Sequence, residues 1–254
     1  DLSTIRQLPC EMAIWNEASR EFVCQTGKEL NWFQADGTLM RSATFGQTLY
    51  YEFGGVELPV VVALVNGVDS TGIGLYVWDA KTDRAPEPLL ATLSHCNLMR
   101  ISRDGRWLAI STNEAVQLIH IPSRKVVQKF GYFGKTVCAA AWNADATLLA
   151  LGSEEGVIQT YRRTESDQFE LERVLPGNRL RVRDLAWHPF DDRLASVGED
   201  QRLNLWNTNS GTLVINQEHE SAVIDVSWSP NGESLATVTQ WGELRIWSSG
   251  PRDE

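Results

Sequence analysis

Basic residues and long apolar runs are both scarce in this sequence, and each scarcity excludes a class of protein. Of the 254 residues, 23 are Lys or Arg and 33 are Asp or Glu, which gives a net charge of −10, whereas nucleic-acid-binding surfaces are basic. No apolar run reaches the roughly 18 residues of a transmembrane helix, and no charged-then-apolar leader opens the chain. We therefore expect neither a nucleic-acid partner nor a membrane partner.

Cysteines are also few, and they follow no metal-binding or disulfide pattern. Cys10, Cys24, Cys96 and Cys138 are 14, 72 and 42 residues apart, without the CxxC pair of a zinc site. Cysteines this sparse are typical of small buried apolar residues in a reducing compartment. The sequence therefore predicts buried thiols, no metal, and a cytoplasmic location with the nucleus as the alternative.

Tryptophan, in contrast, is abundant, with 10 residues. A four-residue pattern of apolar, polar, apolar and large residues occurs six times. The last residues of the six copies are 41 to 45 positions apart, and they are Phe33, Trp78, Ile119, Tyr161, Trp206 and Trp247. A second marker comes 18 or 19 residues before five of these ends, at Trp15, Ile101, Trp142, Trp187 and Trp228. In the second unit the nearest aromatic residue, Phe53, lies 25 residues before Trp78. Markers that hold phase over six units indicate a repeat protein.

Each unit has the pattern of short β-strands separated by turns. Its apolar runs are broken by turn signals such as Asp104-Gly105 and Asn231-Gly232. A period of 41–45 residues that holds about four strands is that of a β-propeller blade, which must stack on its neighbours to bury both faces. The sequence predicts an all-β fold, a single propeller domain over residues 1–254 with six four-stranded blades, or seven if the chain is a fragment of a longer protein.

The same residues resemble WD40 repeats, and the resemblance covers nearly the whole chain. The segment from Trp228 to Thr237 (WSPNGESLAT) is similar to the core of the family's repeat, and Trp78-Asp79 matches its closing dipeptide. The resemblance implies a WD40-type β-propeller whose blades end near the six residues of the first marker series. The family's internal tetrad of His, Ser or Thr, Asp and Trp is incomplete here, because Asn178 replaces the His of the fifth blade and Trp241 the Asp of the last.

The ends of the chain suggest how the ring closes. Little sequence follows Trp247, so the last blade would lack its outer strand. Residues 2–8 resemble residues 211–217, the predicted outer strand of the fifth unit. We expect residues 2–8 to complete the last blade, which would remove an exposed sheet edge.

No established catalytic motif is present, since HExxH, GxSxG, GxGxxG and P-loop patterns are all missing. A propeller can nevertheless carry catalytic carboxylates on its innermost strands. Asp184 and Asp225 hold equivalent positions, each three residues before Trp187 or Trp228, and such a pair could bind a metal or share a proton. Each Asp could equally cap local backbone N–H groups. We expect no enzymatic activity, no catalytic residue and no cofactor.

Surface features give the better candidates for binding. Arg179, Arg181 and Arg183 alternate along a segment that enters a predicted innermost strand, where alternate residues share one face. Trp241 lies in a predicted tight turn. If exposed, it would be a binding hot spot, and the alternative is that it packs on the neighbouring blade. Ile224 and Glu199 complete the predicted partner-binding surface.

These observations predict a non-catalytic scaffold that binds a protein or peptide on the propeller face, and the arginines favour an acidic partner. Two alternatives stay open. The chain does not begin with Met, which fits a ligand-sensing or partner-sensing propeller at the C-terminus of a larger NTPase-type signalling protein. The other alternative is a channel-centred hydrolase or lactonase that uses Asp184 and Asp225.

Overall fold

The structure is a computed structural model that describes residues 10–16, 20–44, 48–54, 60–66, 73–79, 82, 84–93, 95–131 and 136–248. The predicted closing segment, residues 2–8, lies outside these ranges, so its role remains a prediction. The described residues form β-strands and turns without a helix, in six antiparallel sheets whose strands follow one another in chain order. No helix that could span a membrane is found among them.

Sheets one to three contain four strands each. The strands of sheet one are β1 (Met12–Asn16), β2 (Glu21–Thr26), β3 (Glu29–Gln34) and β4 (Leu39–Thr44). Those of sheet two are β5 (Thr48–Gly54), β6 (Val60–Asn66), β7 (Ile73–Asp79) and β8 (Glu87–Leu93). Those of sheet three are β9 (Leu98–Ile101), β10 (Trp107–Ser111), β11 (Val116–His120) and β12 (Lys125–Phe130).

Sheets four and five also have four strands, whereas sheet six has three in the described part of the chain. The strands of sheet four are β13 (Val137–Trp142), β14 (Leu148–Ser153), β15 (Ile158–Arg163) and β16 (Phe169–Leu175). Those of sheet five are β17 (Val182–Trp187), β18 (Arg193–Gly198), β19 (Arg202–Asn207) and β20 (Thr212–Glu218). Those of sheet six are β21 (Val223–Trp228), β22 (Ser234–Thr239) and β23 (Leu244–Ser248). The six residues of the first marker series all lie in third strands.

The chain divides into two compact units. Unit one comprises residues 1–96, 101–108 and 119–126, and unit two comprises residues 97–100, 109–118 and 127–254. In unit one the core lies between sheets one and two, where Val23, Leu30, Val61 and two tryptophans are buried together. The rings of Trp32 and Trp78 meet edge to face with their centroids 5.6 Å apart, a favoured aromatic geometry.

One disulfide in unit one corrects the expectation of four buried thiols. Cys10 is bonded to Cys24, with their Cα atoms 5.6 Å apart. Cys96 and Cys138 are partly buried thiols. The sequence could not indicate this pair, because a separation of 14 residues matches no framework pattern and the two residues meet only when β1 pairs with β2.

In unit two the tryptophans of the second marker series link successive sheets. The indole Nε1 of Trp142 donates to the carbonyl of Arg100 at 3.0 Å. Trp187 donates in the same way to Ala141 at 3.1 Å, and Trp228 to Ala186 at 3.3 Å. Each acceptor is the residue before the preceding marker. The repeated bond explains why an aromatic residue with a donor recurs at this position of an otherwise apolar core.

Candidate partner-binding surface

The turns that join the second and third strands have the same construction in sheets four, five and six. The backbone N–H of Glu154 donates to Thr136 O at 3.1 Å, that of Glu199 to Arg181 O at 3.0 Å, and that of Gln240 to Ala222 O at 2.8 Å. Each bond ties a turn to the beginning of its own innermost strand. The three turns are therefore equivalent, and Glu155, Asp200 and Trp241 follow the donors at one shared position.

Asp200 holds its turn together. Its carboxylate accepts hydrogen bonds from Asn178 Nδ2 at 2.9 Å, from the backbone N–H of Arg179 at 2.8 Å and from that of Arg202 at 3.4 Å. Asn178 therefore supplies one of the hydrogen bonds that the histidine of the WD40 pattern would make at this position. Elsewhere in the sheet, Trp206 Nε1 donates to Ser196 Oγ at 3.0 Å. Within the described part of the chain the buried Asn178 Oδ1 has no hydrogen-bond partner, so the tetrad is split into two pairs.

Sheet six contains the complementary part of the tetrad. His219 Nε2 lies 2.9 Å from Thr237 Oγ1, and Trp247 Nε1 donates to the same oxygen at 3.1 Å. With Trp241 in place of the Asp, the buried Nδ1 of His219 has no hydrogen-bond partner among the described residues. An unpaired buried polar atom destabilises a fold, so Trp241 carries a structural cost at this position.

The Trp241 side chain is exposed. It is 76% accessible, so it does not pack on a neighbouring sheet, which was the alternative. Ile224 on β21 is also exposed, at 42%. It lies at a register shift between Val223 and Asp225, and Arg183 and Cys138 hold the same shifted position in sheets five and four.

The arginine strip is arranged differently from the prediction. β17 begins at Val182, so Arg179 and Arg181 precede the strand, and the register shift at Arg183 interrupts the alternation. The guanidinium of Arg181 lies 3.6 Å from Glu154 Oε1 in sheet four. That of Arg183 lies 2.7 Å from Glu199 Oε1 in its own sheet. Two of the three cations are therefore paired with carboxylates.

Arg181 has a second neighbour in the thiol of Cys138. Burial raises the pKa of Cys138, while the charge of Arg181 and a hydrogen bond from it lower the pKa. The Cys138 Sγ lies 3.0 Å from Val182 O. Sequence reasoning missed these contacts because Glu154 and Cys138 lie in another sheet. It also missed Leu180, which is 52% exposed between two of the arginines.

Asp184 and Asp225 do come together. The Asp184 Oδ2 accepts the backbone N–H of Val226 at 3.1 Å, which joins β17 to β21. The pKa of Asp184 is raised from 3.8 to about 7. Burial is the largest cause and a hydrogen bond with Asp225 acts in the same direction, while the Val226 N–H and the Arg100 charge lower the pKa. Among the described residues, no three His, Cys, Asp or Glu side chains are grouped as a metal site.

Comparison with known proteins gives consistent matches. Residues 140–222 match the family model "Anaphase-promoting complex subunit 4 WD40 domain", and residues 211–248 match "WD domain, G-beta repeat". The chain is 25% identical over 173 residues to the WD repeat-containing protein SL1-17 of Schistosoma mansoni, covering 65% of the chain and 56% of that protein. It is 27% identical over 142 residues to the anaphase-promoting complex subunit cdc20 of Dictyostelium discoideum, covering 55% and 28% respectively.

A solved structure has the same fold. The β-propeller domain of Cps50 (Swd1) from Myceliophteria thermophila superposes with a TM-score of 0.72 at 16% identity, covering 93% of this chain and 82% of that one. The chain thus spans about half, or less, of the length of the curated relatives described above. The repeat markers, the six antiparallel sheets and these matches agree, and together they support a WD40-repeat β-propeller.

Proposed function

We propose that this chain is a non-catalytic scaffold that binds a partner protein or peptide with the turn ends of sheets five and six. One observation carries the proposal. Trp241 is 76% exposed at a turn position where the equivalent Asp200 accepts three N–H groups. A large aromatic side chain that costs the fold a hydrogen bond and contributes little burial fits selection for binding, because tryptophan is enriched among hot spots.

The comparisons support the same class of function. The Dictyostelium relative is named as a subunit of the anaphase-promoting complex, and a relative from Schizosaccharomyces pombe, 27% identical, as a subunit of the target of rapamycin complex. Both names describe proteins that act within assemblies. The proposed contact residues are Trp241 and Ile224, and the proposed surface is bordered by Arg179, Arg181, Arg183 and Glu199.

The test is site-specific photo-crosslinking in the native lysate. A photoreactive phenylalanine analogue replaces Gln240, beside Trp241, or Phe190, which is 74% exposed in the turn between β17 and β18. The proposal predicts a discrete protein adduct at position 240 that is absent at position 190. Equal labelling at both positions, or no adduct at position 240, would contradict it.

Asp184 and Asp225 are the basis of the hydrolase alternative, since a carboxyl whose pKa lies near 7 can act as an acid or a base. The Val226 N–H already occupies Asp184 Oδ2, which favours a structural role. Asp184→Asn with Asp225→Asn should leave partner binding unchanged. A hydrolytic activity of the wild type that disappears in this double variant would establish the alternative.

A further inference from the structure

The chemistry of the surface changes sharply between sheets five and six. Four equivalent rim positions, defined by the strand beginnings and turns above, are occupied in sheet five by Arg181, Arg183, Glu199 and Asp200. The same four positions in sheet six are Ala222, Ile224, Gln240 and Trp241. Every one is charged in sheet five and none is charged in sheet six. We call the second set the sheet-six rim.

The charged side chains at the four rim positions of sheet five already have partners within the protein. Arg183 is paired with Glu199 at 2.7 Å, and Arg181 lies 3.6 Å from Glu154. The Asp200 carboxylate already accepts hydrogen bonds from three N–H groups. A partner that neutralised these arginines would first have to break existing ion pairs, and burying them intact would still cost desolvation free energy.

The sheet-six rim has no ion pair to break. Trp241 and Ile224 are exposed by 76% and 42%, and none of the four rim positions is charged. Covering them removes apolar surface from water, which stabilises a complex by roughly 25 cal/mol for each Å². The ion pairs beside the rim would then lie in the hydrated border that surrounds the apolar centre of a protein interface.

Building on the proposed function, we infer that the partner is a peptide segment that inserts an uncharged aromatic or large aliphatic side chain against Trp241 and Ile224. The paired arginines border this contact and do not recognise an acidic sequence. The exposed Arg179, which contacts Asp200 through its backbone N–H, adds at most one charge pair. Binding therefore depends on apolar burial and changes little with salt, because screening acts on exposed charges.

The test uses a displayed library of random peptides, selected on the wild-type protein. The inference predicts enriched peptides with a shared aromatic or large aliphatic residue. Trp241→Ala should weaken their binding by about thirtyfold, as expected for a hot spot, and Ile224→Asn should weaken it in the same direction. Phe190→Ala, which removes an equally exposed aromatic ring, is the matched control and should have no effect.

Charge is varied separately. Arg183→Gln with Glu199→Gln removes one ion pair without changing net charge, and the affinity should stay within about twofold, as it should between low and high salt. Enriched peptides rich in Asp and Glu, bound more weakly at high salt and insensitive to Trp241→Ala, would overturn the inference while leaving the scaffold function intact. Enrichment of no peptide would overturn it as well. Loss of the adduct at position 240 in crosslinking would contradict the scaffold function itself.

Discussion

Trp241 occupies in sheet six the turn position that Asp200 occupies in sheet five, and the two residues have opposite roles. Asp200 accepts hydrogen bonds from one side-chain amide and two backbone N–H groups. Trp241 is exposed to solvent, and His219 Nδ1 has no partner in the part of the chain that the structure describes. Asp200 therefore stabilises its turn, whereas Trp241 is the residue that we propose contacts a partner.

Restoring the carboxylate should therefore stabilise the protein. In Trp241→Asp the new side chain offers an acceptor to His219 Nδ1, and satisfying a buried donor contributes about 1 kcal/mol to the free energy of unfolding. Urea denaturation measures the gain. Trp241→Ala is the control, because it removes the ring without adding an acceptor. Equal stabilities of the Asp and Ala variants would show that the turn cannot reach His219.

The indole hydrogen bonds between sheets should contribute measurably to stability. Trp187→Phe keeps most of the buried ring but leaves Ala141 O without its donor, so we expect a loss of about 1–2 kcal/mol. Trp241→Phe changes the same atoms at an exposed site and should cost less than about 0.5 kcal/mol. If the two substitutions had equal effects on the denaturation midpoint, these bonds would not stabilise the fold.

Two turn glycines allow a matched test of backbone crowding. Gly156 and Gly242 have φ values of 86° and 83° at equivalent positions. A Cβ at Gly156 would lie 1.9 Å from Asn178 O, whereas a Cβ at Gly242 meets nothing within 4 Å. Gly242→Ala should cost about 1–2 kcal/mol for the left-handed conformation alone. Gly156→Ala should cost clearly more. If the Gly156→Ala variant melted at the same temperature as Gly242→Ala or at a higher one, this turn geometry would be contradicted.

The carboxyl pair predicts a pH dependence of stability. Folding raises the pKa of Asp184 from 3.8 to about 7, so between these values the folded state binds more protons than the unfolded state. The contribution of Asp184 to stability is therefore full below about pH 4 and is lost as the pH rises to about 7. Asp184→Asn should remove this loss, so the fall in the free energy of unfolding between pH 4 and pH 8 should be smaller by roughly 1–3 kcal/mol than in the wild type. Parallel curves for the two proteins in denaturation from pH 4 to pH 8 would contradict the raised pKa of Asp184.

The positions of the strands could be predicted because the signals that fix them are local in sequence. In unit two the second marker series recurs because the indoles of Trp142, Trp187 and Trp228 reach the preceding sheet. The all-β fold followed from these spacings. The turn that holds Trp241 was also predicted, but its exposure depends on which neighbours lie beside it in three dimensions.

The electrostatics of the site could not be predicted from sequence. Alternation alone gave Arg179, Arg181 and Arg183 a shared face, but Arg181 pairs with Glu154 from the preceding sheet. A register shift at Arg183 then directs that side chain to Glu199. The two ion-pair partners lie 16 and 27 residues away from their arginines in sequence, and the register shift is a one-residue bulge. Neither feature leaves a pattern that the sequence alone would show.

The most direct test of the proposed binding surface compares two quantities in one variant. For Trp241→Ala, calorimetric titration with the protein captured at position 240 measures affinity, and urea denaturation measures stability. We predict an affinity about thirtyfold lower and a free energy of unfolding within about 0.5 kcal/mol of the wild type, with Phe190→Ala unchanged in affinity. Wild-type affinity in Trp241→Ala, or a loss of affinity that follows a loss of stability, would contradict the account.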